Sequence, residues 1–520
     1  MEKETVVTLA APRKKGLLRL VFSRLFLIAA LIVLQIIIVV AVYLRFREYI
    51  PHFAVLQFVF MGVMVLYLIN NGMDSSAKLT WFMMIALLPI PGTIFLAYTQ
   101  TNLGHRLLKR RVEQTIAETK NALPQDEALL EELANDGSGT DDLHRYCNRS
   151  GCFPVYGNTE VRYFPQGEDK FAAMLEELEK AEKFIYMEYF IIQEGYMWGR
   201  ILDILIRKAA SGVDVRVMYD GMCEITTLPH NYPKLLAEKG IKAKSFSPIT
   251  PFVSTHYNYR DHRKILVIDG RVAFNGGVNL ADEYINRKER FGHWKDTAVM
   301  LRGEAVRSFT LMFLQMWNVE GGSMGFSAVD ALPEPVRAEG YVMPYADEPL
   351  DGDKVGENVY IDILYHANRY VHIMTPYLIL DGELEAALKY AAERGIEVCL
   401  ILPGIPDKKM AYALAKSHYR VLTEAGVKIY EYSPGFVHAK VFVSDDIKAV
   451  VGTINLDYRS LYHHFECATY LYRSPCIAEI EADFQATLAK CRAVTPETIR
   501  GEKLYYKLLG SLLKIAAPLM

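Results

Sequence analysis

The sequence has neither an excess of charge of one sign nor a regular set of cysteines, and both absences narrow its possible functions. Its 58 lysine and arginine residues nearly balance 61 acidic residues, so no basic field points to a nucleic-acid partner. The seven cysteines are odd in number and scattered over 520 residues, unlike the framework of a disulfide-rich secreted domain. The spacing of Cys147 and Cys152 matches no common zinc pattern. We therefore expect free or buried thiols and no nucleic-acid partner.

Apolar residues are abundant instead, and three long runs of them lie near the N-terminus. They make up 51% of the chain, which is high for a soluble enzyme. Residues 25–44 contain a single polar side chain over about the length that spans a bilayer. Further runs cover residues 53–70 and 80–98, and two prolines interrupt the last one. Residues 25–44 are too long for the core of a removable signal peptide, so we predict a transmembrane helical region over residues 1–112.

Basic residues cluster on both sides of this region, before residue 25 and after residue 105. The positive-inside rule places both clusters in the cytoplasm, which requires an even number of crossings. Three apolar runs are present, so either one run does not cross or one cluster is misleading. We expect a multi-pass protein of the cell membrane whose catalytic region is cytoplasmic.

Two further segments flank the central part of the chain. Residues 113–154 are polar and acidic, and their composition predicts a linker with a short helix followed by a flexible stretch. Residues 496–520 end in a segment where basic and apolar residues alternate at helical spacing. We interpret this tail as an amphipathic helix at a membrane interface, and the alternative is a helix packed on the domain.

Between these segments, strand-like apolar runs alternate with helical patterns, which is typical of an α/β fold. The central region also repeats itself, because residues 262–284 are similar to residues 438–460. We therefore predict two pseudo-symmetric units, residues 155–330 and residues 331–495.

Each unit carries the same motif of chemically active side chains. Histidine and lysine two residues apart share one face of a strand, because side chains alternate with period two. An aspartate and then an asparagine after a turn of small residues follow at identical spacing, with an offset of 176 positions between the copies. The motif residues are His262, Lys264, Asp269 and Asn279 in the first copy, and His438, Lys440, Asp445 and Asn455 in the second. Agreement at four positions indicates two halves of one site.

The paired H-x-K-x4-D motifs resemble the phospholipase D superfamily over roughly residues 155–490. Residues 74–92 and the phrases "MEYFII" and "VGTINLDYRSLYHHFE" resemble bacterial cardiolipin synthases in particular. The resemblance implies an α/β fold of two pseudo-symmetric phospholipase D-like α-β-α sandwich repeats, preceded by the N-terminal transmembrane helical region. It also implies chemistry that needs no metal.

The residue types of the motif suit reaction at a phosphodiester. One imidazole can attack phosphorus while the other protonates the leaving alkoxide. Lys264 and Lys440 would neutralise the non-bridging oxygens, and Asn279 and Asn455 would donate hydrogen bonds to them. No carboxylate cluster suited to magnesium or calcium accompanies the motif, so we expect no metal and no cofactor.

The motif aspartates, Asp269 and Asp445, are catalytic candidates by their place in the motif, but their spacing argues for a structural role. Each lies at an odd distance from its histidine and would face the other side of a regular strand. We expect both to hold a turn.

The resemblance further implies that an acidic residue orients each histidine, and Asp296 and Glu466 are the candidates. By the same analogy, His262 is the nucleophile and His438 the general acid. The near symmetry of the two motifs leaves the reverse assignment open.

The role of several other residues has two alternative interpretations. Glu188 either lines the pocket or belongs to a buried carboxylate pair. The first copy contains about ten extra residues before its motif, with His256, Tyr257, Tyr259 and Arg260, and they form either a cover over the site or an inert loop. We expect His463 and His464 to serve local packing.

The resemblance implies transfer of a phosphatidyl group between two phosphatidylglycerol molecules, giving cardiolipin and glycerol. Partners would be phosphatidylglycerol, other membrane phospholipids and the bilayer. A membrane-bound phospholipase D with water as acceptor is the main alternative, and CDP-diacylglycerol or phosphatidylethanolamine could replace one substrate. A membrane scaffold with inactive motifs is disfavoured because both motifs are intact. The sequence does not specify an oligomeric state.

Overall fold

A computed structural model describes residues 5–10, 33–34, 37–38, 40–45, 53–101, 106–248, 259–322, 324–331 and 336–519. Helices precede the sheets, and they cover Phe53–Asn70, Ser75–Leu87, Pro89–Thr101, Arg106–Thr119, Glu127–Asn135 and Thr140–Ser150.

The first repeat builds a seven-stranded sheet with helices against it. The strands of this repeat are β1 (Thr159–Phe164), β2 (Phe184–Tyr189), β3 (Asp214–Asp220), β4 (Lys242–Phe246), β5 (Arg260–Asp261), β6 (Lys264–Ile268), β7 (Val272–Gly276), β8 (His293–Lys295) and β9 (Ala298–Gly303), and all but β5 and β8 belong to the sheet. Its helices are Gly167–Glu179, Tyr196–Ala210, Cys223–Thr226, Tyr232–Ala237 and Val306–Val319.

The second repeat builds a larger sheet on the same plan. Its strands are β10 (Tyr341–Asp347), β11 (Tyr370–Met374), β12 (Glu397–Pro403), β13 (Lys428–Tyr432), β14 (Gly435–Val437), β15 (Val441–Ser444), β16 (Lys448–Gly452), β17 (His464–Tyr472) and β18 (Cys491–Ala493). Its helices, including those that follow it, are Val355–His366, Gly382–Glu393, Lys409–Glu424, Tyr458–Tyr462, Cys476–Leu488, Pro496–Gly501 and Leu504–Ala516.

The strand order confirms the mixed α/β fold and shows the internal duplication directly. The first sheet runs β1-β9-β7-β6-β2-β3-β4, and the second runs β10-β17-β16-β15-β11-β12-β13 before ending on β18. Each motif strand, β6 or β15, lies antiparallel to its neighbour in the sheet, β2 or β11. Side chains from both sheets, such as Val299 and Val451, meet in one buried apolar core.

Two short strand pairs cross between the repeats and bring the motifs together. β5, immediately before His262, runs parallel to the start of β17 in the second repeat. β14, immediately before His438, runs parallel to β8 in the first repeat. The main-chain amides of the two histidines continue this pairing, from His262 to the Phe465 carbonyl at 2.9 Å and from His438 to the Lys295 carbonyl at 2.7 Å.

The N-terminal apolar runs fold differently from the predicted transmembrane region. The run over residues 80–98 is divided between two helices at Pro89, since proline cannot continue a helix. None of the helices in the described part of the chain combines the length and the apolar character that crossing a bilayer requires. The transmembrane prediction is therefore not supported for residues 53–98, and most of the run 25–44 lies outside the described residues.

The predicted flexible linker is instead folded against the second repeat. Its helices Glu127–Asn135 and Thr140–Ser150 bury Leu133, Leu143 and Cys147 in the main core. Lys448 on β16 donates a hydrogen bond of 2.8 Å to the Ser138 carbonyl between the two helices. Acidic residues on the outer helix faces dominate the composition here, which hid the apolar stripe that packs inward.

Candidate active site

Each motif histidine is held by a carboxylate from the other repeat. Glu466 on β17 contacts His262 Nδ1 with both oxygens, at 2.8 and 3.0 Å. Asp296, after β8, contacts His438 Nδ1 with Oδ2 at 2.6 Å. The crossed strand pairs β5–β17 and β14–β8 produce this exchange, because each carboxylate lies just beyond the segment that pairs with the opposite histidine strand. In the tautomer with the proton on Nδ1, each ring keeps a lone pair on Nε2.

The two motif lysines stand beside the histidines and are buried. Lys264 Nζ donates to the His262 carbonyl, and Lys440 Nζ donates to the His438 carbonyl. Burial lowers the pKa of Lys264 to about 8 and the pKa of Lys440 to about 7. Two desolvated ammonium groups that act on each other favour a bound phosphate, because its charge would offset their desolvation.

Burial and the lysines also set the protonation of the histidines. The pKa of His438 is lowered to about 4 by burial and by Lys440. The pKa of His262 lies well below its ordinary value because of burial, Lys264 and the other charged groups of the site, among them Lys440 and His438. Both rings are therefore neutral at neutral pH before an anion binds, and the charges of the second repeat act on the histidine of the first. The two motifs form one site.

The two orienting carboxyls differ from each other. Burial raises the pKa of Asp296, but His438 and Lys440 outweigh it and hold that pKa below its ordinary value. Burial dominates at Glu466 and raises its pKa well above the ordinary range. The half-site of His262 therefore depends more on hydrogen-bond donors to its carboxyl than the half-site of His438 does.

The motif aspartates are catalytic candidates by their place in the motif, but the structure places both at turns, as their spacing predicted. The Asp269 carboxylate accepts the main-chain N–H groups of residues 182, 183 and 184 at 2.7–2.8 Å. The Asp445 carboxylate accepts those of residues 368, 369 and 370 at 2.7–2.9 Å. Each ties the turn after a motif strand to the start of the neighbouring strand, β2 or β11, with its own backbone at positive φ.

The motif asparagines are not equivalent, and the first is already occupied by the protein. Asn279 Oδ1 accepts from the Ile191 amide, and its Nδ2 donates to the Tyr284 hydroxyl, both at 2.9 Å. The predicted phosphate contact of Asn279 is therefore replaced by a positioning role. Asn455 is 4% exposed, and its Oδ1 has no hydrogen-bond partner among the described residues. Of the two motif asparagines, Asn455 is the one whose side-chain amide is not fully engaged by the described residues and can still meet a ligand.

The remaining candidates resolve as follows. Glu188 is fully buried on β2, and burial together with Asp261 raises its pKa well above the ordinary value, so it belongs to a buried acidic pair. Arg260 forms a buried ion pair of 3.4 Å with Asp220. His256 and Tyr257 lie outside the described residues.

Sequence reasoning missed two side chains of the site. Lys170 is fully buried, donates to the Val278 carbonyl at 3.3 Å, and has its pKa lowered to about 7 by burial. His464, assigned to local packing, lies with its ring 5.1 Å from the ring of His262. Strand parity could have found His464, because it lies two residues before Glu466 on β17 and so shares its face.

The chain is similar to known proteins. A family model described as cardiolipin synthase, PLD-like domain, matches residues 174–317 and 360–488. A cardiolipin synthase of Alkalihalophilus pseudofirmus is 33% identical over 89% of this chain and 92% of its own length. An uncharacterized protein of Streptococcus mutans is 59% identical over 88% of this chain and 99% of its own. The crystal structure of a phosphatidylserine synthase from Haemophilus influenzae covers 73% of this chain and 97% of its own, with a TM-score of 0.57 at 16% identity, and so shares the fold.

The crossed histidine–carboxylate pairs on a duplicated α/β fold define a protein of the phospholipase D superfamily. Within it, the chain belongs to the family of bacterial cardiolipin synthases. It is accordingly an enzyme of the phosphatidyltransferase class.

Proposed function

We propose that this protein is a cardiolipin synthase that transfers a phosphatidyl group from one phosphatidylglycerol to another. The observation that carries the proposal is the pair of neutral imidazoles, each oriented through Nδ1 by a carboxylate of the other repeat and each accompanied by a buried lysine. Such a site presents the Nε2 atoms of both rings to one phosphorus and two ammonium groups to its non-bridging oxygens. A phosphodiester of a membrane lipid suits this arrangement.

The reaction proceeds in two balanced steps. His262 Nε2 attacks the phosphorus of the donor lipid, the bond from phosphorus to the glycerol headgroup oxygen breaks, and protonated His438 gives its proton to the departing glycerol. Anion binding raises the pKa of His438 and allows that protonation. In the second step His438 takes the proton from a hydroxyl of the second phosphatidylglycerol, whose oxygen attacks phosphorus and releases His262.

The energetics of the exchange need no nucleotide. One phosphodiester bond to glycerol is broken and one is formed, so the donor and the product store nearly the same free energy. Lys264 and Lys440 stabilise the charge that develops on the non-bridging oxygens, and the Asn455 amide adds a neutral donor. Water competes with the second lipid as acceptor, and the reaction with water would give phosphatidic acid.

The test uses the full-length protein in vesicles of phosphatidylglycerol with a labelled headgroup and labelled acyl chains. We expect equal amounts of cardiolipin and released glycerol, with a phosphorylated His262 trapped by acid quench and mapped by mass spectrometry. His262→Ala should lose the adduct, and His438→Ala should retain it but turn over slowly. His230→Ala, whose side chain is exposed, is the matched control. Phosphatidic acid as the main product would establish a phospholipase instead, and no turnover at all would refute the proposal.

We further infer that the catalytic region works on the surface of an anionic bilayer, on the cytoplasmic face. The tail helix Leu504–Ala516 supports this, because Leu504, Leu508 and Leu512 are exposed beside Lys507. Its inner face is anchored, since Gly510 approaches the Ala413 carbonyl too closely for any larger residue. The helix also touches the exposed apolar N-terminal helices, where Thr80 donates to the Ile515 carbonyl, so the two surfaces are continuous.

The N-terminal residues contact the first repeat directly. The amides of Leu9 and Ala10 donate to Glu194 Oε1 at 3.2 and 3.3 Å, and the Val7 amide donates to the Gly199 carbonyl at 3.2 Å. Residues 5–10 therefore lie against the first repeat, and both must be on the same side of the bilayer.

A fluorescence experiment tests the bilayer contact. Tyr505→Trp should be quenched by brominated phosphatidylglycerol vesicles and much less by brominated phosphatidylcholine vesicles. Tyr390→Trp is the control, because Tyr390 is 53% exposed and Tyr505 is 62% exposed, but Tyr390 lies on another helix. Equal quenching at the two positions, or a dimer in detergent that protects Tyr505→Trp, would contradict the inference.

A further inference from the structure

The two half-sites differ at the residue that precedes the orienting carboxylate by two positions. In the first repeat this residue is Trp294, whose ring lies 5.4 Å from His438. In the second repeat it is His464, whose ring lies 5.1 Å from His262. Both are buried. The half-site of His262 therefore contains an additional imidazole that the half-site of His438 lacks.

The hydrogen bonds of His464 define its tautomer. Arg459 Nε lies 3.3 Å from His464 Nε2. A guanidinium can only donate, so Nε2 must accept and the ring proton must reside on Nδ1. His464 Nδ1 lies 3.5 Å from Glu466 Oε1, and it has no hydrogen-bond partner within the described part of the chain. The same carboxylate oxygen lies 2.8 Å from His262 Nδ1. The longer contact exceeds the ordinary hydrogen-bond range by a few tenths of an ångström, and a rotation of either side chain by that amount would bring it within the range.

The surroundings keep His464 neutral. Three cations face it from separate elements: Arg459 from helix Tyr458–Tyr462, Lys264 from β6 and Arg260 from β5. Two further imidazoles lie close to it, since His463 precedes it in the chain and the ring of His262 is its neighbour in the site. Burial and these neighbours lower the pKa of His464 well below its ordinary value. Glu466 is also approached by Lys264, Asp457 and the hydroxyls of Thr453 and Ser460. His464 therefore contributes an N–H dipole to Glu466 and not a charge.

We propose that His464 is a positioning residue, which donates its Nδ1–H to Glu466 and so keeps that carboxylate ionised and aligned on His262. The proposal rests on the lipid-transfer function proposed above. Trp294 does not play this part for Asp296. Asp296 requires no further donor, because His438 and Lys440 already favour its ionised form. Glu466 lacks that advantage, and its half-site supplies a further donor instead.

Loss of the donor should move one limb of the pH profile. Removing an N–H that favours ionised Glu466 raises the pKa of that carboxyl further, so the acidic limb of kcat/KM must move to higher pH. We expect His464→Phe, which keeps a buried ring without a donor, to shift this limb upward by about half a pH unit or more. His464→Asn, which can place a side-chain N–H near the original Nδ1, should restore most of the wild-type limb. His463→Phe is the matched control, because it alters the neighbouring imidazole and should leave the limb in place.

Two readouts on the full-length protein make the test decisive. Glycerol release from phosphatidylglycerol vesicles counts transfer and hydrolysis together. Diethylpyrocarbonate labelling of His262 in detergent without lipid, mapped by mass spectrometry, follows the same ionisation in the absence of substrate. If the wild type releases no glycerol, the proposed function fails while the labelling still tests His464. An unchanged limb in His464→Phe, or equal loss in His464→Phe and His464→Asn at every pH, overturns the proposal. If His464→Phe does not fold, Arg459→Met, at an exposed position, should shift the limb in the same direction, and no shift there overturns it.

Discussion

Glu466 Oε1 lies 2.8 Å from His262 Nδ1, although the two residues are 204 positions apart and belong to different repeats. Asp296 and His438 make the reciprocal contact across 142 positions. The crossed pairs explain why both copies of the motif must be present, and several expected outcomes follow from their geometry.

Replacing either orienting carboxylate by its amide should remove most of the catalysis and little of the fold. Asn at position 296 or Gln at position 466 keeps the shape but favours the wrong histidine tautomer. In a serine protease the equivalent change lowers kcat by about 10⁴, and we expect Asp296→Asn to lower kcat by on the order of 10³–10⁴. Glycerol release measured beside thermal unfolding checks this, and a variant within about tenfold of the wild type would argue against the orienting role.

The motif lysines should make the reaction fail as pH rises. Their pKa values are lowered to about 8 for Lys264 and about 7 for Lys440. The charged ammonium is present below these values and is lost above them, so kcat/KM should fall as pH rises through this range. The fall in kcat should occur at a higher pH than the fall in kcat/KM, because bound phosphate favours the ammonium form of the lysines.

An arginine variant isolates the contribution of one lysine. In Lys440→Arg the guanidinium keeps its charge at every accessible pH. The alkaline limb of kcat/KM should then move upward, even if the rate at neutral pH is lower. A limb that stays in place would assign the titration to another group.

The two motif asparagines should separate binding from stability. Asn455→Ala removes an amide whose oxygen has no partner in the described structure, so we expect kcat/KM to fall by about 10- to 100-fold, the effect of one or two hydrogen bonds, with little change in unfolding. Asn279→Ala breaks two internal hydrogen bonds and should lower the free energy of unfolding by about 1–3 kcal/mol. The same effect in both variants would contradict the assignment.

Asp269 should behave as a structural residue despite its place in the motif. Its carboxylate accepts three main-chain amides, so Asp269→Ala should lower the free energy of unfolding by about 2–4 kcal/mol. At a temperature where the variant is still folded, kcat should remain within a few-fold of the wild type. Chemical denaturation and turnover at low temperature measure the two effects separately. Asp445→Ala is the matched variant in the second repeat.

Gly277 should tolerate no side chain. A Cβ at this position would lie 2.0 Å from Asp296 Oδ1, so Gly277→Ala must displace the carboxylate that holds His438. We expect a loss of kcat comparable to that of Asp296→Asn. The second repeat has Thr453 at the equivalent position, where the hydroxyl donates to Glu466. Thr453→Gly should therefore fold and should impair only the His262 half-site.

The sequence predicted the parts of this site that depend on local spacing. Period-two alternation placed His262 with Lys264 on one strand face and turned Asp269 away, and the shared offset revealed the duplication. The exchange of carboxylates could not be predicted in this way, because it depends on strands from different repeats that pair in space. The same parity rule could have placed His464 beside Glu466, but His463 and His464 were interpreted together as packing residues.

The N-terminal part was harder to predict for a different reason. Hydropathy measures how apolar a segment is, but not what covers it. The helices at residues 53–101 leave apolar side chains such as Phe58 and Leu66 exposed, whereas the helices at 127–150 pack against the second repeat through Leu133 and Leu143. From composition alone, the first group is predicted to be transmembrane and the second to be a flexible linker.

The exchanged carboxylates have a consequence for how this chain can change over time. Although the two repeats carry the same motif, neither contains both a motif histidine and the carboxylate that orients it. Damage to one copy cannot be masked by the other, and either half expressed alone would carry a histidine without its partner. Duplication has here produced mutual dependence and no backup.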